Sequence, residues 1–172
     1  MPIEYSGGLP WHPLCNKPVR SSGAKRKERV GLYARLRGMR MLLVEDDKML
    51  GDALSVFFRI KGCDLRHVPD AEEALAVLDG ETFGVVISDH WLPGADGLTL
   101  LKQVSEQHPE ALRVLITAGP TASLATDAMA EGVDGFILKP FTGEELESAL
   151  AEVLGKKRGP GGRVDEFIVP KA

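Results

Sequence analysis

Only two cysteines occur in 172 residues, Cys15 and Cys63, 48 positions apart and without a C-x-x-C pair. Neither a disulfide framework nor a zinc cage follows from such spacing, and a reducing, cytoplasmic setting is expected. Long apolar runs are missing as well. The longest, Met39 to Val44, is interrupted by Arg40 and falls far short of the ~20 residues that a membrane span requires. A soluble protein with no membrane attachment is expected. The opening MPIEYSGGLPWHPLC has no basic stretch feeding an apolar one, which argues against secretion. The length suits one domain of ~100–150 residues with tails, and two full domains would be cramped.

The formal net charge of −4 conceals a division along the chain. Residues 1–40 carry nine Lys/Arg against Glu4 and Glu28, and residues 155–172 carry five against Asp165 and Glu166. Between Met41 and Leu154 seven basic residues face 21 acidic ones, a net charge of −14. An acidic globule is a poor nucleic-acid binder, because such binding depends on Lys and Arg neutralising phosphates.

Residues 1–38 hold Pro2, Pro10, Pro13 and Pro18, two Gly/Ser patches and the cluster Lys25-Arg26-Lys27, with no sustained apolar period. They read as a disordered basic arm, preceding a start at Met39 or Met41 or left by a misassigned one. The stretch Val30–Leu36 has at most a helical turn or two. From Met41 the pattern changes. Met41–Val44, Val85–Ile87, Val114–Ile116 and Phe136–Leu138 are short aliphatic runs without alternation, as expected of strands buried on both faces. Cys63–Val68 is less apolar and suits a sheet edge. Between the runs, apolar residues recur every three or four positions, as in Leu50/Ala53/Leu54/Phe57/Phe58 and Leu146/Leu150/Val153, which predicts amphipathic helices. Five β–α units in residues 39–154 predict an α/β fold: an open five-stranded parallel sheet with helices on both faces. Gly155 and the Gly-Pro-Gly-Gly run at 159–162 predict a flexible tail over 155–172.

In an open parallel sheet, ligands bind beyond the carboxyl ends of the strands. Glu45, Asp46 and Asp47 follow the first strand, Asp89 the third, Thr117 the fourth, and Lys139-Pro140 the fifth. Asp47 reads as a helix cap, and Pro93 and Gly97 as residues that shape the loop. Clustered carboxylates repel unless a cation neutralises them, and hard oxygen ligands suit Mg²⁺. The physical reading is a metal-assisted phosphoryl-transfer site.

The runs Leu-Leu-Val-Glu45-Asp46-Asp47, Asp89-His-Trp-Leu-Pro93-Gly-Ala-Asp-Gly97, Thr117-Ala118 and Phe136-Ile-Leu-Lys139-Pro140-Phe141 resemble the receiver domain of bacterial two-component response regulators, a flavodoxin-like (βα)5 fold. The resemblance covers about Met39 to Leu154, with four motifs in the family's order. It implies that Asp89 is the phospho-acceptor, charged by a sensor histidine kinase or a histidine phosphotransfer protein. It implies Mg²⁺ held by Asp46, Asp89 and the backbone carbonyl of Trp91, and by Glu45 through water. Lys139 and Thr117 would stabilise the phosphoryl group, and Phe136 would be the aromatic that moves with it. Trp91, Ala118, Gly119 and Pro140 would flank the site, with the Lys139–Pro140 bond cis and the Trp91 indole shielding the phosphoryl group from water; the alternative is an indole turned outward as part of a partner-binding surface. The domain would catalyse only its own phosphorylation and dephosphorylation. With 18 residues after Leu154, too few for a helix-turn-helix, a stand-alone receiver or a piece of a longer architecture is expected, signalling to an output protein by contact. The competing reading is a small aspartyl-nucleophile phosphohydrolase of haloacid-dehalogenase-like type; that family has a D-x-D motif after the first strand, where this chain has Glu45-Asp46-Asp47. A flavodoxin-like cofactor binder lacks support, since no Ser/Thr/Gly-rich phosphate cradle follows the first strand.

Overall fold

The computed structural model describes residues 31, 33–119 and 121–155. The basic arm before residue 31 and the tail after residue 155 lie outside the described residues. Five strands, β1 (Arg40–Val44), β2 (Asp64–Val68), β3 (Val85–Asp89), β4 (Leu112–Thr117) and β5 (Gly135–Leu138), alternate with five helices. The helices are α1 (Lys48–Ile60), α2 (Ala71–Gly80), α3 (Gly97–Gln107), α4 (Ala122–Ala130) and α5 (Gly143–Gly155). The strands form one sheet in the order β2-β1-β3-β4-β5, and every pairing is parallel. One element has no counterpart in the sequence pattern: Trp91–Leu92 and Ala95–Asp96 make a two-residue antiparallel ribbon between β3 and α3.

The aliphatic runs become central strands for a physical reason. Side chains alternate across a sheet, so a strand covered on both faces must be apolar at every position. Met41, Leu43, Val85, Ile87, Val114, Ile116 and Ile137 pack on one side with Leu54 and Phe58 of α1 and Leu146, Leu150 and Val153 of α5. Leu42, Val44, Val86, Leu115 and Phe136 pack on the other with Ala74 and Leu78 of α2, Leu101 and Val104 of α3, and Leu124 and Ala128 of α4. At the edge, β2 is only partly buried until Val68. Met129, which continues the apolar spacing of α4, is instead exposed. None of the described helices is long and apolar enough to cross a membrane.

Helix starts are written in side chains. Asp47 accepts hydrogen bonds from the N–H groups of Met49 and Leu50, Asp70 from Glu73, Asp96 from Leu98 and Thr121 from Leu124. At α5, Thr142 Oγ1 accepts from Glu145 N while Glu145 Oε2 accepts from Thr142 N, a reciprocal capping box.

The described end of the expected arm is packed, and a boundary at residue 39 cuts through that packing. Tyr33–Leu36 form a helical turn, and Leu36 is fully buried in the cluster under α1 and α5. Arg35 donates to the Leu154 carbonyl at 2.5 Å, and Arg37 Nε to the Lys61 carbonyl at 3.1 Å. The Lys61 ammonium lies 4.8 Å from the Tyr33 ring centre, 4.4 Å from that of Phe57 and 3.1 Å from the buried Glu147 carboxylate. The short stretch Val30–Leu36 allows a helical turn, but it is too brief for a period that would mark Leu36 as core.

Replacing Leu36 by Ala is therefore expected to cost about 2–5 kcal/mol of stability, the range for a buried leucine. Met129→Ala, at an exposed position, should change it by less than about 0.5 kcal/mol. Urea denaturation of both variants checks this; equal, small losses would mean that Leu36 is not part of the core.

Candidate functional site

The four site segments emerge at the carboxyl ends of β1, β3, β4 and β5. The N–H of Glu45 extends the ladder by one step, donating to the Val68 carbonyl at 3.1 Å. Its side chain turns inward and is fully buried, whereas Asp46 is exposed. Asp89 ends β3 and is 5% exposed. Its Oδ1 accepts from the Trp91 N–H at 3.1 Å, and its carbonyl accepts from Ser88 Oγ at 2.9 Å. The return of the chain to α3 depends on glycine: a Cβ at Gly97 would lie 1.8 Å from the Asp89 carbonyl oxygen. Gly94, at φ 72°, adopts the left-handed backbone that other residues avoid.

Thr117 ends β4, fully buried, and its Oγ1 accepts from the Gly119 N–H at 3.2 Å. Ala118 and Gly119 are exposed beside it. Phe136 on β5 is buried in the cluster against α2, α3 and α4. Lys139 follows β5, its N–H donating to the Thr117 carbonyl at 2.9 Å, and the Lys139–Pro140 peptide is cis. Pro140 is exposed. The Lys139 ammonium crosses from β5 to both acidic strands: Nζ lies 2.9 Å from Glu45 Oε1 and 2.8 Å from Oε2, and it donates to Asp89 Oδ2.

Among the described residues Glu45, Asp46 and Asp89 each offer a carboxylate oxygen within 4.8 Å of the others. This is an all-oxygen, acidic donor set, which fits Mg²⁺ or Ca²⁺ and lacks the nitrogen and sulfur ligands of zinc or copper sites. One ammonium contacts two of these three carboxyl groups, Glu45 and Asp89. Burial pushes the Glu45 carboxyl above its ordinary value of 4.5; the Lys139 hydrogen bond opposes this, and the Asp89 charge adds to it. For Lys139, burial acts to lower the value, but hydrogen bonds to Asp89 and Glu45 outweigh it and the net shift is upward.

Two features depart from the motif reading. The Trp91 indole is 69% exposed, its ring tilted against His90 at 4.6 Å rather than sealed over the site. Ser88 and His67, which hold the carbonyls of Asp89 and Glu45, belong to no motif. A small hydroxyl after three aliphatic β-branched residues, Val85, Val86 and Ile87, is the only sequence signal for Ser88.

Comparison with known proteins gives a consistent result. The family model of the response regulator receiver domain matches residues 41–151. Response regulator protein FleR of Pseudomonas aeruginosa is 38% identical over 121 residues, covering 70% of this chain and 26% of FleR. Chemotaxis response regulator CheY4 of Vibrio cholerae superposes with a TM-score of 0.62 at 27% identity, covering 66% of this chain and 97% of CheY4. The BeF3-activated receiver domain of Thermotoga maritima DrrB gives 0.61 at 26% identity, covering 67% of this chain and 97% of that one. The chain spans from about a quarter to just over half the length of the curated relatives it matches.

Lys139→Met would leave the Glu45 carboxylate buried without its cation. The expected loss at neutral pH is about 2–3 kcal/mol, below the ~3–5 of a fully enclosed pair because Lys139 is 23% exposed. The pH dependence has a definite sign. A carboxyl whose folded value is raised holds its proton more tightly in the folded state, so its contribution is largest below 4.5 and falls as pH rises through the folded value. The deficit of Lys139→Met should therefore shrink on acidification toward that range. Denaturation curves between pH 4.5 and 7.5 check this; a deficit constant with pH would mean that Lys139 stabilises by packing alone.

Proposed function

The chain belongs to the response regulator receiver domain family, and from that premise we propose that it switches a signal by accepting a phosphoryl group on Asp89. The donor is a phosphohistidine on a sensor histidine kinase or a histidine phosphotransfer protein. An Asp89 carboxylate oxygen attacks the phosphorus, the P–N bond breaks, and the departing imidazole takes up a proton, leaving a mixed anhydride on Asp89. The observation that carries this reading is the Lys139 ammonium set between Glu45 and Asp89. It neutralises the acceptor before the reaction and is available to a phosphoryl oxygen afterwards.

Mg²⁺ would be held by Asp46, Asp89 and the backbone carbonyl of Trp91, with Glu45 acting through water, and it would supply charge compensation for the entering phosphoryl oxygens. Thr117 would release the Gly119 N–H and donate its hydroxyl to a phosphoryl oxygen. Phe136 would follow as the moving aromatic, and Trp91, Ala118, Gly119 and Pro140 would line the approach. Exposure of Trp91, Ala118 and Gly119 favours a site open to a partner protein. Output would pass by contact to another protein or domain. The acidic folded part has the wrong charge for direct nucleic-acid binding, and a cytoplasmic site of action fits the reading. The reaction is the domain's own phosphorylation and dephosphorylation, with no external substrate turned over.

The phosphohydrolase reading would place its D-x-D pair right after β1. Asp47 there has its Oδ1 committed to two N–H groups of α1 as a helix cap, and Glu45 stands where that motif has its first aspartate. The pair departs from the hydrolase arrangement, which favours the receiver reading.

Acetyl phosphate with Mg²⁺ should label the wild-type chain, and Asp89→Asn, whose amide is not a competent nucleophile, should show no label; EDTA should block the reaction. Phosphate-affinity electrophoresis reads the result. Full labelling of Asp89→Asn would sink the assignment, and turnover of a small phosphate ester without a kinase would favour the hydrolase.

A further inference from the structure

We infer that His67, seated on Gly51, is a positioning residue for the Glu45–Asp46 ligand pair; the inference rests on the Mg²⁺ reading of that pair. The backbone at the end of β1 sets the problem. Glu45 N–H is the last group in the ladder to β2, so its carbonyl is the first acceptor beyond it. The opening N–H groups of α1, Met49 and Leu50, are occupied by Asp47. His67 Nε2 reaches the Glu45 carbonyl instead, at 2.7 Å. A carbonyl only accepts, so Nε2 carries the proton in either charge state of the ring.

The imidazole has a prepared seat. His67 lies on β2 opposite Leu43, two residues before the point where Glu45 leaves β1. Across from it, Gly51 is buried on α1, and a Cβ there would stand 2.2, 2.4 and 2.5 Å from His67 Cε1, Nε2 and Nδ1. Those distances are incompatible with any side chain unless the ring moves. Glycine is the poorest helix former after proline, so its place within the second turn of α1 is explained by the ring it admits.

The consequence runs through one peptide plane. Glu45 is held at its N–H by Val68 and at its carbonyl by His67, and the planar peptide then fixes where the Asp46 Cα stands. Asp46 is exposed, so its backbone direction decides whether its carboxylate meets those of Glu45 and Asp89. Groups that hold metal ligands from behind commonly alter affinity 10–100-fold when removed.

The test uses Mn²⁺, an oxygen-seeking divalent ion whose free form is counted by electron paramagnetic resonance, on the full chain. His67→Leu should weaken Mn²⁺ binding about tenfold. Gly51→Ala, which touches no ligand and displaces the ring, should do the same. His67→Gln, whose amide can donate from nearly the same place, should bind within about twofold of wild type. Thermal melts without metal run alongside, since a purely structural role would lower all melting temperatures and leave the dissociation constants of the folded proteins alike. Wild-type affinity in folded His67→Leu or Gly51→Ala overturns the inference, as does an equal loss in His67→Gln. Undiminished binding by Asp46→Ala overturns the metal reading itself, and this inference with it. Should His67→Leu fail to fold, the Gly51→Ala and His67→Gln pair decides alone.

Discussion

An ammonium group between two carboxylates fixes the working end of this molecule. Glu45 and Asp89 are buried at the ends of neighbouring strands, where two unscreened negative charges would repel strongly. Lys139 comes from β5, two strands beyond β3 in the sheet, and contacts both. Its own removal from water is tolerable only because both partners are present. The strand order β2-β1-β3-β4-β5 matters for this reason: it sets acids on two adjacent strands, a hydroxyl on the next and a cation on the last, all facing one edge. With Asp46 added, the carboxylates outnumber the one ammonium, and a divalent cation would offset the excess negative charge that would otherwise repel an incoming phosphoryl group.

The rest of the fold holds that edge still. Two apolar layers, α1 and α5 on one side and α2, α3 and α4 on the other, clamp a sheet whose inner strands are buried except at Arg40, the first residue of β1. At the opposite end, a buried ion pair between Arg113 and Asp134, 3.3 Å apart, ties the start of β4 to the approach to β5, and the Tyr33–Leu36 turn closes the space beneath α1 and α5. In the loops after the strands, backbone carbonyls are held by single side chains: Asp89 by Ser88, Glu45 by His67.

Much of this was legible in residues because the relevant forces are local or periodic. Unbroken aliphatic runs announced strands covered on both faces, a run of weaker hydrophobicity announced the edge, and Asp47 announced a cap. The convergence of Glu45, Asp46, Asp89, Thr117 and Lys139 followed from the rule that strand ends form the site. What escaped notice depends on contacts between segments distant in sequence. Leu36 ends a short apolar stretch between basic residues, and only its packing in the cluster under α1 and α5 makes it core. Arg113 and Asp134 look like ordinary charges until the sheet buries both. Gly51 and His67 carry meaning only as a pair, 16 positions apart, and Trp91 has no sequence signal for the side to which its ring turns.

The central claim is chemical: an acyl phosphate forms on the carboxylate that Lys139 holds. Borohydride reduces an acyl phosphate to an alcohol, converting the acceptor aspartate to homoserine and marking its position permanently. After incubation with acetyl phosphate and Mg²⁺, reduction and peptide mass mapping, the account predicts homoserine at position 89 and unmodified Glu45 and Asp46. Reduction at either of those residues, or an unmodified Asp89 in a fully folded sample, would contradict it.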